Sequence, residues 1–290
     1  MMTTHDNENT FAMDRYAVIG NPIAHSRSPQ IHAAFAAQTN QPLRYETLLA
    51  PLDAFVTTVT AFRRAGGRGL NVTVPFKLEA HDLADRLSPR AEAAGAVNTL
   101  SFGSDHSILG DNTDGAGLVR DIVHNLACPL SGKRVLLLGA GGAARGVLQP
   151  LLHEAPAALT IANRTIARAE SLRARFQGVA GSTALDACGF DALAGRSFDI
   201  VINATAASLS GEAPPLPAAL HAKGALAYDM MYGSGDTPYM AAARADGAAQ
   251  VADGLGMLIE QAAESFRLWR NVRPDTTPVL TQLRAAIDAS

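Results

Sequence analysis

KRVLLLGAGGAARGVL, residues 133–148, decides the architecture of this 290-residue chain. VLLL at 135–138 is a short, wholly apolar run, the kind that forms a strand buried on both faces of a parallel sheet. A glycine-rich turn breaks the run, and the segment beyond it towards Leu152 has the apolar spacing of a helix. Gly139, Gly141 and Ala144 fit the spacing GxGxx(G/A). The first small residue permits a tight turn and the second a close backbone approach to a pyrophosphate. The third lets helix and strand pack closely, while N–H groups at the helix start face the anion. A glycine turn with no ligand is the bland alternative, and the strand-turn-helix setting weighs against it.

The rhythm continues towards the C-terminus in ALTIAN (158–163), FDIVINAT (198–205) and ALAYDMMY (225–232), each separated by enough chain for a crossover helix. This predicts a doubly wound parallel sheet of the Rossmann type. In such a sheet the second strand normally ends near an acid, about 20 residues past the glycines, that binds a ribose 2′-hydroxyl. Here that place holds Asn163-Arg164-Thr165, with Arg168 one turn on. A carboxylate there would repel a 2′-phosphate, whereas a guanidinium pairs with it in a fork and lies against the adenine ring. The reading favours NADP over NAD. Two cations at a helix start oppose the macrodipole, so a phosphate counter-ion gives them a reason to be there.

Before this domain, RYAVIG (15–20), LRYETLL (43–49), GLNVTVP (69–75) and AVNTLSF (96–102) alternate with helix-like segments, an α/β pattern. SPQIHAAF opens a helix with Ser28 as the expected N-cap and Pro29 in the first helical position. Phe55, Val59 and Phe62 form one apolar stripe, stopped by Gly66-Gly67. After the last strand, GLGMLIEQAAESFRLWR (254–270) puts Leu258, Ala262, Phe266 and Trp269 on one face of a long helix that returns the chain to the first domain. The predicted division is a first domain over 14–114, completed by 254–290, and a nucleotide domain over 115–253.

Composition narrows the function. With 24 Lys and Arg against 27 Asp and Glu, the chain has a formal charge of −3 and no basic excess for nucleic acid. The two cysteines, Cys128 and Cys188, have no CxxC spacing, so neither a disulfide framework nor a thiolate zinc site is indicated. None of the eight histidines has a metal-ligand spacing, no metal is expected, and His25 reads as a loop residue. No apolar run approaches the roughly 20 residues that span a bilayer. Met1 to Met13 is polar and acidic, without the features of a secretory signal, and reads as a frayed tail. A cytoplasmic protein without membrane partners is expected.

Two features of the first domain carry chemistry. Lys77 follows a strand end and a proline, and Asp114 is read as ending another strand in the same half. A lysine paired with an aspartate across a cleft can give a proton to a carbonyl oxygen under reduction or take one from the alcohol, although an isolated pair is more often a surface salt bridge. The carboxylate favours the ammonium form, so Lys77 suits the role of acid and oxyanion stabiliser better than that of free base. Ser26 and Ser28 flank an arginine before a helix, where two hydroxyls and helix N–H groups can cradle a carboxylate; Ser28 alone reads as a plain cap.

Seven strings then fall together: NPIAHSRSP (21–29), NVTVPFK (71–77), AVNT (96–99), GDNTDG (110–115), NRT (163–165), YDMMY (228–232) and ADGLGMLIEQA (252–262). In order and separation the chain closely resembles the shikimate dehydrogenases, from about Tyr16 to the final helix. The resemblance implies NADP-dependent reduction of 3-dehydroshikimate to shikimate, in aromatic amino-acid biosynthesis, in a cleft between two α/β domains. It implies that Lys77 and Asp114 are the catalytic pair, and that Ser26, Ser28 and Tyr232 bind the substrate carboxylate. Thr73, Asn98 and Gln261 match residues that contact ring hydroxyls. Taken alone these are an ordinary strand residue, a turn residue and an exposed helix position. Gly139, Ala140, Gly141, Gly142, Ala143, Asn163, Arg164, Thr165, Arg168, Met230 and Gly254 fall on the cofactor side. Where some members carry an acid after the catalytic lysine, this chain reads LSPRA (87–91), and that position is left out of the site. The implied partner is a small-molecule substrate, and the implied assembly a monomer or homodimer. Two rivals remain: a quinate/shikimate dehydrogenase using NAD, opposed by Arg164 and the two serines, and a non-catalytic NADPH-binding sensor on the same fold.

Overall fold

The computed structural model describes residues 13–205, 207 and 211–289; the expected tail, apart from Met13, lies outside them. Two sheets organise the chain. The first contains β1 (Asp14–Gly20), β2 (Leu43–Leu49), β3 (Gly67–Val72), β4 (Arg86–Leu87), β5 (Thr99–Phe102) and β6 (Ile108–Asp111), in the order β2-β1-β3-β5-β6-β4. β1 pairs parallel with β2 and β3, whereas β5 runs antiparallel to β3 and β6. Its helices are α1 (Ser28–Thr39), α2 (Phe55–Arg64), α3 (Lys77–Leu83), α4 (Pro89–Ala94) and α5 (Asp114–Arg120). The second contains β7 (Arg134–Leu138), β8 (Ala158–Ala162), β9 (Ala184–Cys188), β10 (Phe198–Asn203), β11 (His221–Asp229) and β12 (Gln250–Ala252), with α6 (Gly142–His153), α7 (Ile166–Phe176) and α8 (Pro238–Ala245). Its order is β12-β11-β10-β7-β8-β9 and every pairing is parallel. The chain ends in α9 (Leu255–Arg270) and α10 (Thr277–Asp288).

The second sheet is the doubly wound arrangement, and its strand order reverses beside β7, where the glycine turn emerges. Ligands of open α/β sheets bind outside the carboxyl ends of strands at such a reversal. In the first sheet β1 and β3 are parallel neighbours, so the loops leaving their carboxyl ends lie side by side. Thr73 N donates to Ile19 O at 3.0 Å and Asn21 N to Val74 O at 3.1 Å. Two segments about fifty residues apart in sequence thereby share one edge.

Phe55, Val59 and Phe62 are buried against the first sheet, as their stripe predicts. On its other side α9 buries Ala262 and Phe266 among Ile31, Phe35 and Leu283. Each large side chain so covered contributes roughly 1.5–3 kcal/mol. Trp269 stacks on Tyr16 at 4.6 Å and its Nε1 donates to Leu100 O at 3.1 Å, so α9 does return to the first sheet.

Between the sheets sits α5. A Cβ on Gly117 would lie 2.7 Å from Gln261 N and Met257 O, and one on Gly115 would lie 2.7 Å from Gly146 O. Glycine at these positions lets α5 touch α9 and α6 backbone to backbone.

Two local expectations are corrected. Ser28 is the first helical residue, not the cap: Arg27 precedes α1 with no side-chain cap, and Ser28 N donates to Ser26 Oγ at 3.3 Å. Asp114 does not end a strand. β6 stops at Asp111, Asn112 turns the chain with Oδ1 accepting from Asp114 N at 3.1 Å, and Asp114 opens α5, where an acid suits the helix dipole.

Candidate active site

The carboxyl edge of the first sheet, the start of α9 and the turn after β11 enclose a cavity of about 350 Å³. Ser26, Ser28, Thr73, Lys77, Asn98, Asp114, Tyr232 and Gln261 all line it, together with Met230 and Gly254 from the other side. His25 lines it too, as part of the loop after β1.

Lys77 and Asp114 are placed by two helix starts. Lys77 Nζ lies 2.6 Å from Asp114 Oδ2, with the side chains 32% and 19% exposed, so the pair is open to a ligand but partly withdrawn from water. Asp114 Oδ1 accepts from Asn98 Nδ2 at 2.8 Å. Asn98, 3% exposed, also receives Thr113 N at 2.9 Å on its Oδ1. The loop carrying Asp114 is tied down behind: Asp111 accepts from Ser88 Oγ at 2.5 Å and from Arg90 Nε and Nη2 at 2.6 and 2.9 Å. Ser88 and Arg90 belong to LSPRA, the segment that sequence reasoning leaves out. Ser88 followed by Pro89 is a legible helix start, and Ser88 Oγ caps α4 by accepting from Ala91 N at 3.2 Å. Arg90 also reaches Glu264 Oε1 on α9 at 3.1 Å. Burial disfavours the Glu264 carboxylate, but Arg267 and Arg90 overcome this and hold its pKa down at about 2.

Ser26, Ser28 and Tyr232 add three hydroxyls to the cavity lining, and Arg27, which lines it too, adds a charge that sequence reasoning passes over. Burial pushes the Tyr232 phenol pKa up against the pull of Arg27, leaving a neutral hydroxyl that can donate. Two further residues go unsuspected in the sequence. Asn71 lines the cavity, and behind it His32, 1% exposed, stacks flat on Tyr45 at 4.1 Å. Asn71 opens the string NVTVPFK without a role assigned to it there, and nothing in the spacing marks His32, because its contacts join separate elements.

On the nucleotide side, Gly139 takes φ +104°, a left-handed backbone that only glycine adopts without strain, and a Cβ there would meet Ala204 O at 3.0 Å. Gly141 and Gly142 have nothing within 4 Å where a side chain would stand. Ala143 lies in the first turn of α6. Ala140 and Arg168 line a second cavity of about 320 Å³, beside Arg145 and Arg175. Asn163 shapes the turn after β8 by donating Nδ2 to Thr165 O at 2.9 Å, with Arg164 exposed between them. Asp229 fixes the turn at Met230: it accepts from Asn203 Nδ2 at 3.1 Å, Met231 N at 3.1 Å and Thr237 Oγ1 at 2.6 Å. Gly254 passes close by, since its Cβ would lie 2.3 Å from Met230 O.

Among the described residues no group of His, Cys, Asp and Glu has the geometry of a metal site, and no helix is long and apolar enough to cross a membrane. Three family descriptions match the chain in order: a shikimate dehydrogenase substrate binding domain over residues 18–100, shikimate / quinate 5-dehydrogenase over 121–210, and a shikimate 5'-dehydrogenase C-terminal domain over 254–284. A shikimate dehydrogenase (NADP(+)) of Aromatoleum aromaticum is 70% identical over 276 residues, 95% of this chain and 99% of that protein. An Ael1 enzyme from Pseudomonas putida, 52% identical, superposes with a TM-score of 0.88 over 93% of this chain and 98% of its own. A shikimate 5-dehydrogenase from Thermus thermophilus, solved with NADP(H) and shikimate, is 33% identical with a TM-score of 0.82, over 94% of this chain and 100% of its own.

Proposed function

This chain belongs to the shikimate dehydrogenase family, and on that premise we propose how it interconverts 3-dehydroshikimate and shikimate with NADP. The observation that carries the assignment of roles is the Lys77–Asp114 pair, 2.6 Å apart on a cavity that Met230 of the nucleotide side also lines. The glycine turn fits a dinucleotide: the open sides of Gly141 and Gly142 leave bare backbone at the start of α6, where a pyrophosphate takes N–H groups. Gly139 to Ala143 would hold the pyrophosphate, Asn163, Arg164, Thr165 and Arg168 the 2′-phosphate end, and Met230 and Gly254 the nicotinamide end. NADPH, when bound, supplies the hydride.

Lys77 holds the proton. As the keto carbon is reduced, charge builds on its oxygen, and the ammonium stabilises that charge and gives up a proton to it. Asp114 aims the lysine, and Asn98 keeps Asp114 in place. Ser26, Ser28 and Tyr232 receive the substrate carboxylate through hydroxyl donors, aided by the nearby charge of Arg27. Thr73, Asn98 and Gln261 face the ring hydroxyls.

The proposed division is a substrate domain over 14–114, completed by 254–290, and a nucleotide domain over 115–253. The proposed setting is the cytoplasm, as monomer or homodimer. The test is a steady-state assay of shikimate oxidation with NADP and NAD, repeated with quinate. Turnover of shikimate with NADP well above every other pairing is expected; preference for quinate with NAD sinks the cofactor and substrate roles given to Arg164 and the serines.

A further inference from the structure

Asn71 opens the string NVTVPFK and lines the cleft, yet the reaction as described gives it no task. Its Nδ2 lies 3.3 Å from Asn98 O, 3.1 Å from Thr99 Oγ1 and 2.9 Å from Ser265 Oγ. Asn98 O is a carbonyl and can only accept, so the atom facing it is the nitrogen. The oxygen therefore faces Tyr45, whose hydroxyl, 2.8 Å away, has to donate. Both amide protons are spent inside the protein. What Asn71 can still offer a ligand is a lone pair on Oδ1.

Tyr45 is held where the bond to Asn71 forms. It stands on β2 beneath α1, where the His32 ring covers it at 4.1 Å with the planes 5° apart, and Trp269 lies 6.4 Å away. Burial pushes the His32 pKa down to about 3, so the stacked imidazole is neutral, and burial holds the Tyr45 phenol well above its ordinary value, so it keeps its proton. A phenylalanine would fill the same aromatic box; the hydroxyl adds the bond to Asn71 and a side-chain contact with Ser28, so the double variant with Asn71 separates the two routes.

We propose that Tyr45 is a positioning residue for the substrate: its hydroxyl holds Asn71 Oδ1 as a fixed acceptor for one ring hydroxyl, and His32 fixes the ring that carries the donor. The inference rests on reading the cleft as the shikimate site. A ring hydroxyl that does not react makes the same contact before and during hydride transfer. Loss of the acceptor therefore weakens binding without slowing the chemical step.

The test is Tyr45→Phe, which keeps the stack. The KM for shikimate should rise about 2- to 12-fold, the size of one hydrogen bond to a neutral partner, with kcat within about twofold and the KM for NADP unchanged. Asn71→Ala should raise the same KM, and the double variant should be no worse than Asn71→Ala alone, since Tyr45 acts through Asn71. Effects that multiply, or a Tyr45→Phe enzyme with an unchanged KM, overturn the proposal. Should Asn71→Ala fail to fold, His32→Ala provides the second arm: removing the stack should raise the shikimate KM with kcat kept, and an unchanged KM counts against it. A wild-type protein that fails to oxidise shikimate with NADP overturns the functional reading instead, which separates the two failures.

Discussion

Lys77 and Asp114, 37 residues apart in the chain, each open a helix, and their side chains meet at 2.6 Å over the cleft. The aspartate's second oxygen is taken by Asn98. The pair thus sets an amine against a carboxylate that is itself held in place at the edge of a sheet, the arrangement that the proposed proton donation needs.

Deleting that charge tests the proton role. Lys77→Met keeps the stem's length, so turnover should fall roughly 10²- to 10⁴-fold while NADPH affinity, read by fluorescence titration, stays at the wild-type value. A proportional rise in the shikimate KM with turnover intact would recast Lys77 as a binding residue.

Cofactor choice should sit in Arg164. It is exposed at the end of β8, beside a turn set by Asn163. Arg164→Ala should weaken NADPH binding by roughly 1.5–3 kcal/mol, as for a charge-assisted bond, and leave NADH use nearly unchanged. Equal loss for both cofactors would mean that the side chain supports the turn instead.

Gly117 reverses a common rule. Alanine usually stabilises a helix over glycine by up to about 1 kcal/mol, but here the new Cβ would stand 2.7 Å from backbone atoms of α9. Gly117→Ala should lower stability by about 1–3 kcal/mol in urea denaturation and raise the shikimate KM, because Gln261 sits at the contact. A Tm equal to or above wild type would show that α5 and α9 can part without cost.

Stability should fall in acid through Glu264. Its folded pKa is about 2 against 4.5 for the ordinary group, so the unfolded chain binds the proton more readily. The stabilisation is therefore complete above pH 4.5 and lost as pH falls through about 2, with a total of about 3 kcal/mol. Urea unfolding across this window should show a steeper decline for wild type than for Glu264→Gln. Matching slopes would remove Glu264 from the account.

Much of the molecule is legible in local pattern. The glycine turn, the Asn163-Arg164-Thr165 substitution for an acid, and the parallel second sheet follow from short apolar runs and from a backbone conformation that glycine alone adopts freely, all properties of neighbouring residues. Ser28 falls one residue from its expected place because the helix begins without a side-chain cap, so nothing local marks its first turn. LSPRA escapes a reading that looks for an acid there, whereas the segment's work is to fix Asp111 from another element.

The sequence by itself determined the two α/β sheets, the glycine turn after β7 and the side-chain types at the loops, because helix and strand periods and turn chemistry act over a few residues. Only the tertiary structure decided which of those residues meet. Lys77 finds Asp114 because two loops leave one sheet edge, Asn71 meets Ser265 across 194 positions because α9 returns to the first sheet, and Tyr45 is boxed by His32 because β2 passes beneath α1. Such contacts depend on strand order and on how closely helices approach, which glycines such as Gly117 permit, and no spacing along the chain encodes them.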